Sequence, residues 1–211
     1  MDPKVVLLYP PNQSLPGVMC KPNGSLAYPY LAGALLEHGI EVSIFDACVG
    51  SEKDELSVMF YHSTELPSGL FRTGVSDERI LEEVTDADVV GITSIFTNQE
   101  TMVLATAKLI KQAFPEKLIV AGGVNARSRS KWFLLNGVDV VCLSEAEKTI
   151  LHVVEAVIGV RDWRDVAAIT KVHNGIVVET RAHADDFFWY LDDLPMPRWD
   201  LLPLKRYWNI A

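Results

Sequence analysis

Two adjacent glycines, Gly122 and Gly123, close the apolar run Leu118-Ile119-Val120-Ala121. A strand that ends this way leaves a gap in the wall of a sheet, because residues without Cβ let backbone approach a ligand closely and adopt positive φ. For an isolated pair the alternative is a helix-entry turn. Here the pair has company: Thr93-Ser94 ends the preceding apolar run and Asp46 ends the one before it. Open backbone, two hydroxyls and one carboxylate at successive strand ends point to a binding crevice at the edge of an open parallel sheet, wide enough for a long, thin ligand.

The first turn tests what that ligand is. A dinucleotide site needs G-x-G-x-x-G between strand and helix, so that amides face the pyrophosphate. Pro10 and Pro11 stand there and have no N–H to offer. The hydroxyl- and glycine-bearing phosphate loop of a flavodoxin is absent, and so are the clustered carboxylates of a phospho-receiver. The chain has no G-x-S-x-G nucleophile elbow. Its five histidines, His38, His62, His152, His173 and His183, show neither metal-ligand spacing nor a carboxylate partner and read as surface residues. Cys20, Cys48 and Cys142 are far apart and odd in number, which indicates neither a disulfide framework nor a zinc site. The sequence therefore assigns no catalytic residue and no protein metal ligand, and describes a binding module.

The elements that must position the crevice alternate strand and helix. Strands are predicted at residues 4–9, 41–45, 89–94, 118–121 and 138–143. Helices are predicted at 25–37, with Gly39 as its C′ stop, at 78–84, at 99–114 with Pro115 beyond its end, at 130–136, and after 144. Ser144 and Glu147 have the spacing of a capping box. The fold class is α/β: a five-stranded parallel sheet in flavodoxin-like (Rossmann-like) order with helices on both faces, the ligand sitting at the switch point between the first and third strands. Asn174-Gly175 marks a hairpin between 167–171 and 176–179, read as an appendage. Residues 51–77 are long for a connection and are either a lid over the strand ends or a solvated excursion. Residues 183–211 carry Trp189, Trp199 and Trp208 beside Leu194-Pro195-Met196-Pro197. Such a tail either wraps its own domain or docks on a partner or a missing domain.

Composition narrows the partners. Among 211 residues, 28 acidic against 19 basic side chains give a net charge of −9, with no basic stripe for a phosphate backbone, so nucleic acid is not expected. No run reaches the roughly 18 apolar residues of a membrane span, and no charged leader precedes the first strand. A cytoplasmic protein is expected.

Taken together, Tyr9-Pro10-Pro11, Tyr28-Pro29-Tyr30-Leu31-Ala32-Gly33-Ala34-Leu35, Gly39, Val42, Asp46, the run Asp88 to Ser94, Gly122-Gly123 and Gly137-Val138-Asp139 resemble the N-terminal cobalamin-binding domain of cobalamin-dependent radical S-adenosylmethionine enzymes. The resemblance covers nearly the whole chain, and the tail from Leu191 to Pro197 is similar to the linker that leads, in that family, into the radical barrel. It implies residues 1–160 as the cobalamin-binding domain, 161–182 as the hairpin and 183–211 as a linker toward the barrel of a longer parent chain. It implies a cofactor shelf and slot built from Pro11, Leu26, Tyr28, Asp46, Cys48, Thr93, Ser94, Phe96, Gly122, Gly123 and Val124.

The resemblance also implies a function. Cobalamin would be held base-off, and the parent would add a 4Fe-4S cluster, S-adenosylmethionine and a small-molecule substrate, with methylcobalamin donating its methyl group to a substrate radical. The chain has no C-x-x-x-C-x-x-C and would be inactive alone. It departs from the histidine-ligating cobalamin proteins, whose D-x-H-x-x-G becomes Asp46-Ala47-Cys48-Val49-Gly50, with Cys48 at the histidine position. The family's G-E-G-E becomes Ser144-Glu145-Ala146-Glu147, which favours a cap over a ligand contact. The competing class is a non-catalytic small-molecule-binding or sensory module of the same fold.

Overall fold

Strands whose every residue is apolar must be covered on both faces, which in a single sheet requires helices above and below. The computed structural model, which describes residues 3–18, 22 and 24–210, meets that demand. In chain order it contains β1 (Lys4–Tyr9), β2 (Asn12–Ser14), α1 (Ala27–Glu37), β3 (Glu41–Asp46), α2 (Leu56–Tyr61), β4 (Thr64–Glu65), β5 (Phe71–Thr73), α3 (Asp77–Val84), β6 (Val89–Thr93), α4 (Glu100–Ala113) and β7 (Leu118–Gly122). There follow α5 (Val124–Ser128), α6 (Ser130–Leu135), β8 (Val140–Cys142), α7 (Glu147–Val157), β9 (Ile169–His173), β10 (Ile176–Glu179) and α8 (Leu204–Trp208). One face of the sheet, with Val6, Leu8, Val90, Ile92 and Ile119, packs on α3, α4 and α6. The other, with Leu7, Val89, Val120, Val140 and Cys142, packs on α1 and α7.

The five expected strands pair in parallel in the order β3, β1, β6, β7, β8, so the order reverses between β1 and β6 as the alternation predicts. The expected strand count is corrected. β9 joins β8 antiparallel and β10 joins β9, so the hairpin continues one seven-stranded sheet. Its addition covers the backbone groups that β8 would otherwise leave as an open edge. Asn174 (φ 50°) and Gly175 (φ 76°) form the tight turn, as the dipeptide requires.

Residues 51–77 are mostly exposed but carry regular structure of their own. β2, β5 and β4 form a separate three-stranded antiparallel sheet beside the strand ends, anchored by the buried Met59 and Phe60 of α2. The expected capping box is also corrected: α7 begins at Glu147, and its N-cap Ala146 makes no side-chain cap bond. Leu143 N donates to Ala168 O at 2.7 Å, which prolongs strand pairing past Cys142 and delays the helix. The tail folds back over α1, where Arg198 N donates to Pro29 O and Trp199 meets Tyr30 edge-on at 5.9 Å. Among the described residues no helix is long and apolar enough to cross a membrane.

Candidate functional site

Alternation decides which side chains face a cavity at the strand ends. On β6, Gly91 and Thr93 share a face, and on β7, Val120 and Gly122 lie beside them in register. Together with Leu7 of β1 they form one wall of a slot of about 350 Å³, whose other wall is Ala27, Tyr28 and Leu31 of α1. The loop Ser144-Glu145-Ala146-Glu147 and Ile150 of α7 close its side. A second cavity of about 540 Å³ continues from it past the shared residues Ala27 and Ile95, bounded by Tyr9, Asn12, Gln13, Gly24, Ser25, Leu26, Phe96, Asn98 and Gln99. The pair makes a narrow slot opening onto a wider shelf at the carboxyl ends of β1, β6 and β7.

The two glycines play different parts. A β-carbon on Gly122 would meet nothing within 4 Å, so its missing side chain is the space of the slot. On Gly123, at φ +96°, a β-carbon would lie 2.5 Å from Ser94 O. Its role is the sharp turn into α5, where Asn125 N and Ala126 N donate to that same Ser94 carbonyl.

Tyr28 holds the switch point together. Its hydroxyl donates to Leu8 O at 2.7 Å and accepts from Thr93 N at 2.9 Å, bridging β1 and β6. Burial pushes the phenol pKa well up, so it remains a neutral donor. Ser94 is fully buried, and its Oγ accepts from Asn125 Nδ2 at 2.9 Å, so it braces the β6–α5 turn. Ser25 Oγ is buried in the shelf wall and has no hydrogen-bond partner among the described residues. Cys142 also lines the slot, its thiol pushed up to about 12 by burial and hence a small apolar wall. Leu26, Phe96 and Val124 expose 62–70% of their surface around the rim.

Asp46 and Cys48 lie behind the shelf rather than on it. Cys48 is 1% exposed, and its Sγ contacts Pro10 O at 3.2 Å. Asp46 accepts from Cys48 N at 2.8 Å and from the Tyr207 hydroxyl at 2.6 Å. Its pKa is raised to about 6 by burial, which those hydrogen bonds only partly offset. Pro11 is buried and adjoins neither cavity; its Cβ packs toward Gly74. The structure thus gathers Leu26, Tyr28, Thr93, Phe96, Gly122, Gly123 and Val124 at the cavities, and sets Pro11, Asp46, Cys48 and Ser94 in their framework.

Lining residues absent from the sequence reading include Leu7, Gly91 and Val120, which the period of two would have supplied once Thr93 and Gly122 were assigned. Ser144, Glu145 and Glu147 also line the slot, which reverses the expectation that this loop serves as a cap. A groove of about 850 Å³ crosses β9 and β10 at the opposite sheet edge. Its Arg164 is paired with Asp162 and its Arg161 with Glu155, so size alone does not mark the site.

The model of the B12 binding domain matches residues 24–154, the span from the shelf wall to the last crossover helix. The chain belongs to the B12 binding domain family. It is 28% identical over 210 residues to cytidylyl-2-hydroxyethylphosphonate methyltransferase of Streptomyces wedmorensis, covering 88% of this chain but 38% of that protein. Its fold is similar to that of the cobalamin-dependent S-adenosylmethionine radical enzyme OxsB with aqua-cobalamin bound, at TM-score 0.72 and 16% identity, over 99% of this chain and 25% of OxsB. It is also similar to the radical S-adenosylmethionine methyltransferase TsrM from Kitasatospora setae with cobalamin and a [4Fe-4S] cluster bound, at TM-score 0.63 and 15% identity, over 86% of this chain and 29% of that one. The B12-binding chain therefore corresponds to a minor part of each of these proteins.

Proposed function

We propose that this B12-binding domain presents cobalamin to a radical S-adenosylmethionine barrel in the same parent chain, in a methyltransferase acting on a small-molecule substrate. The observation that carries the reading is the slot opened by Gly122 and continued by the shelf. The slot lies within the usual cavity range of about 300–1,000 Å³ and suits a nucleotide tail, while the wider shelf suits a corrin. The residues present fit the group. Gly122 leaves the space a tail needs, Ser25 Oγ is a buried polar atom in want of a partner, and Leu26, Phe96 and Val124 offer exposed apolar contact at the rim.

The bound cofactor would supply a transferable methyl group on cobalt to a radical formed in the barrel. The chain's own residues bind and orient it. Tyr28 fixes the spacing of β1 and β6 below the slot. Thr93 and Glu145 face it with groups able to hydrogen-bond. Cys48 at the position of the ligating histidine is turned to Pro10 O, which supports a cofactor without a protein ligand to cobalt, and a slot that suits the nucleotide tail supports the base-off form. The 28% identity to a methyltransferase supports the reaction class.

Absorbance titration with hydroxocobalamin tests the site. One equivalent should bind with a base-off spectrum, and Cys48→Ala should leave the Co(II) paramagnetic resonance pattern unchanged. Absence of binding by both this chain and its longer parent would remove the proposal and favour a sensory module with another ligand.

A further inference from the structure

The last helix makes contacts that the binding reading leaves unused. Tyr207 donates its hydroxyl to Asp46 Oδ2 at 2.6 Å, across 161 residues of sequence. The same phenol is wedged against Gly24, where a β-carbon would lie 2.6 Å from its oxygen and 2.9 Å from Cζ. Gly24 and its neighbours Ser25 and Leu26 are one wall of the shelf. Beside it, Arg206 is 7% exposed and donates from Nε to Val49 O at 2.6 Å and from Nη2 to Asp54 O at 2.8 Å, gripping the loop after β3. The tail thus ties three things together: the shelf wall, the end of β3 and the loop that follows it.

We propose that Tyr207 is a positioning residue for the cofactor shelf, and that docking of α8 and binding of cobalamin are coupled through Gly24–Leu26. The inference rests on the cobalamin reading above. A side chain at Gly24 has to displace the phenol that occupies that space, and the phenol is held there by Asp46, whose other oxygen is fixed by Cys48 N. A wall residue and a tail residue therefore have one shared position. Displacing either moves the other, and by linkage a ligand that orders the wall must tighten the tail to the same degree.

A double-mutant cycle on the full 211-residue chain tests this, read by cobalamin titration. Tyr207→Phe keeps the wedge and loses the hydrogen bond, and Tyr207→Ala loses both. Cobalamin affinity should fall a few-fold in the first and about tenfold in the second, within the usual range of coupling between sites. Gly24→Ala should weaken binding in the wild-type background, where its methyl meets the phenol, and have a smaller effect beside Tyr207→Ala, where the space is free. Reciprocally, hydrogen exchange of residues 204–210 should slow when cobalamin is added. Normal affinity in folded Tyr207→Ala, or strictly additive effects of the two substitutions, overturns the coupling. Failure of the wild-type chain and its parent to bind cobalamin at all would instead reject the site itself.

Discussion

At Gly122 a β-carbon would meet nothing within 4 Å, whereas at Gly123 it would sit 2.5 Å from the Ser94 carbonyl oxygen with φ at +96°. Substitution should therefore separate binding from folding. Gly122→Val projects two methyl groups into the slot and places a β-branched residue on a strand. Cobalamin affinity should drop at least about tenfold, with the unfolding midpoint in urea little changed. Gly123→Ala should instead lower stability by roughly 1–3 kcal/mol, since strain at a positive φ adds to the clash. The dipeptide was legible in the sequence; the division of labour was not, because it depends on which way each Cα faces in the built sheet. Asp46 is the second residue with a measurable signature. Its folded pKa of about 6 lies above its ordinary value of 3.8, so its contribution to stability is fully present below the unfolded pKa and lost as pH rises through 6. The stability of the wild type relative to Asp46→Asn should therefore rise, by on the order of 2–3 kcal/mol, between pH 7 and pH 4. Urea denaturation of both proteins across that range reads the difference, and a constant difference would mean that the carboxyl titrates normally.

Among the elements, the long apolar strands declared themselves. β1 lies where the sequence places it, and β3, β6, β7 and β8 agree to within about two residues. β2, β4 and β5 gave no signal because they span 3, 2 and 3 residues, too short for alternation to register. Just past β5, Gly74 sits at φ +131°, where a β-carbon would lie 2.4 Å from Ala47 O, so the exit from the small sheet requires glycine. Helix starts illustrate the limit of local pattern. Ser76 has the cap's geometry, its Oγ accepting from Arg79 N at 3.2 Å at the head of α3. Ser144 has only the sequence pattern, because strand pairing at Leu143 holds that loop open along the slot. Ser76→Ala should thus cost about 1 kcal/mol of unfolding free energy. Ser144→Ala should stay within about 0.5 kcal/mol of the wild type. Equal losses would restore the capping role to Ser144.

For the whole molecule, the tail resolves the choice between wrapping its own domain and docking elsewhere by doing the first in part. Leu202 and Arg206 are buried against the domain, while Trp189, Tyr190, Leu191, Met196 and Trp208 expose 70–83% of their surface. Sequence could report that the tail is too apolar for solvent, but not which half is covered, since burial of Arg206 depends on carbonyls more than 150 residues away. Exposed aromatic surface of this kind is typical of interaction sites, and this face is the one that the proposed barrel would cover. A surface substitution remote from any contact shifts stability by no more than about 0.5 kcal/mol, whereas truncating a buried tryptophan costs roughly 3–5 kcal/mol. Trp189 is 71% exposed and its indole N–H donates to Ala184 O at 2.9 Å, a contact local to the tail. Trp189→Ser should therefore leave the melting temperature of the 211-residue chain almost unchanged and lower that of the proposed longer parent by several degrees. An identical small shift in both would show that this face stays in water and would count against docking of the proposed barrel on it.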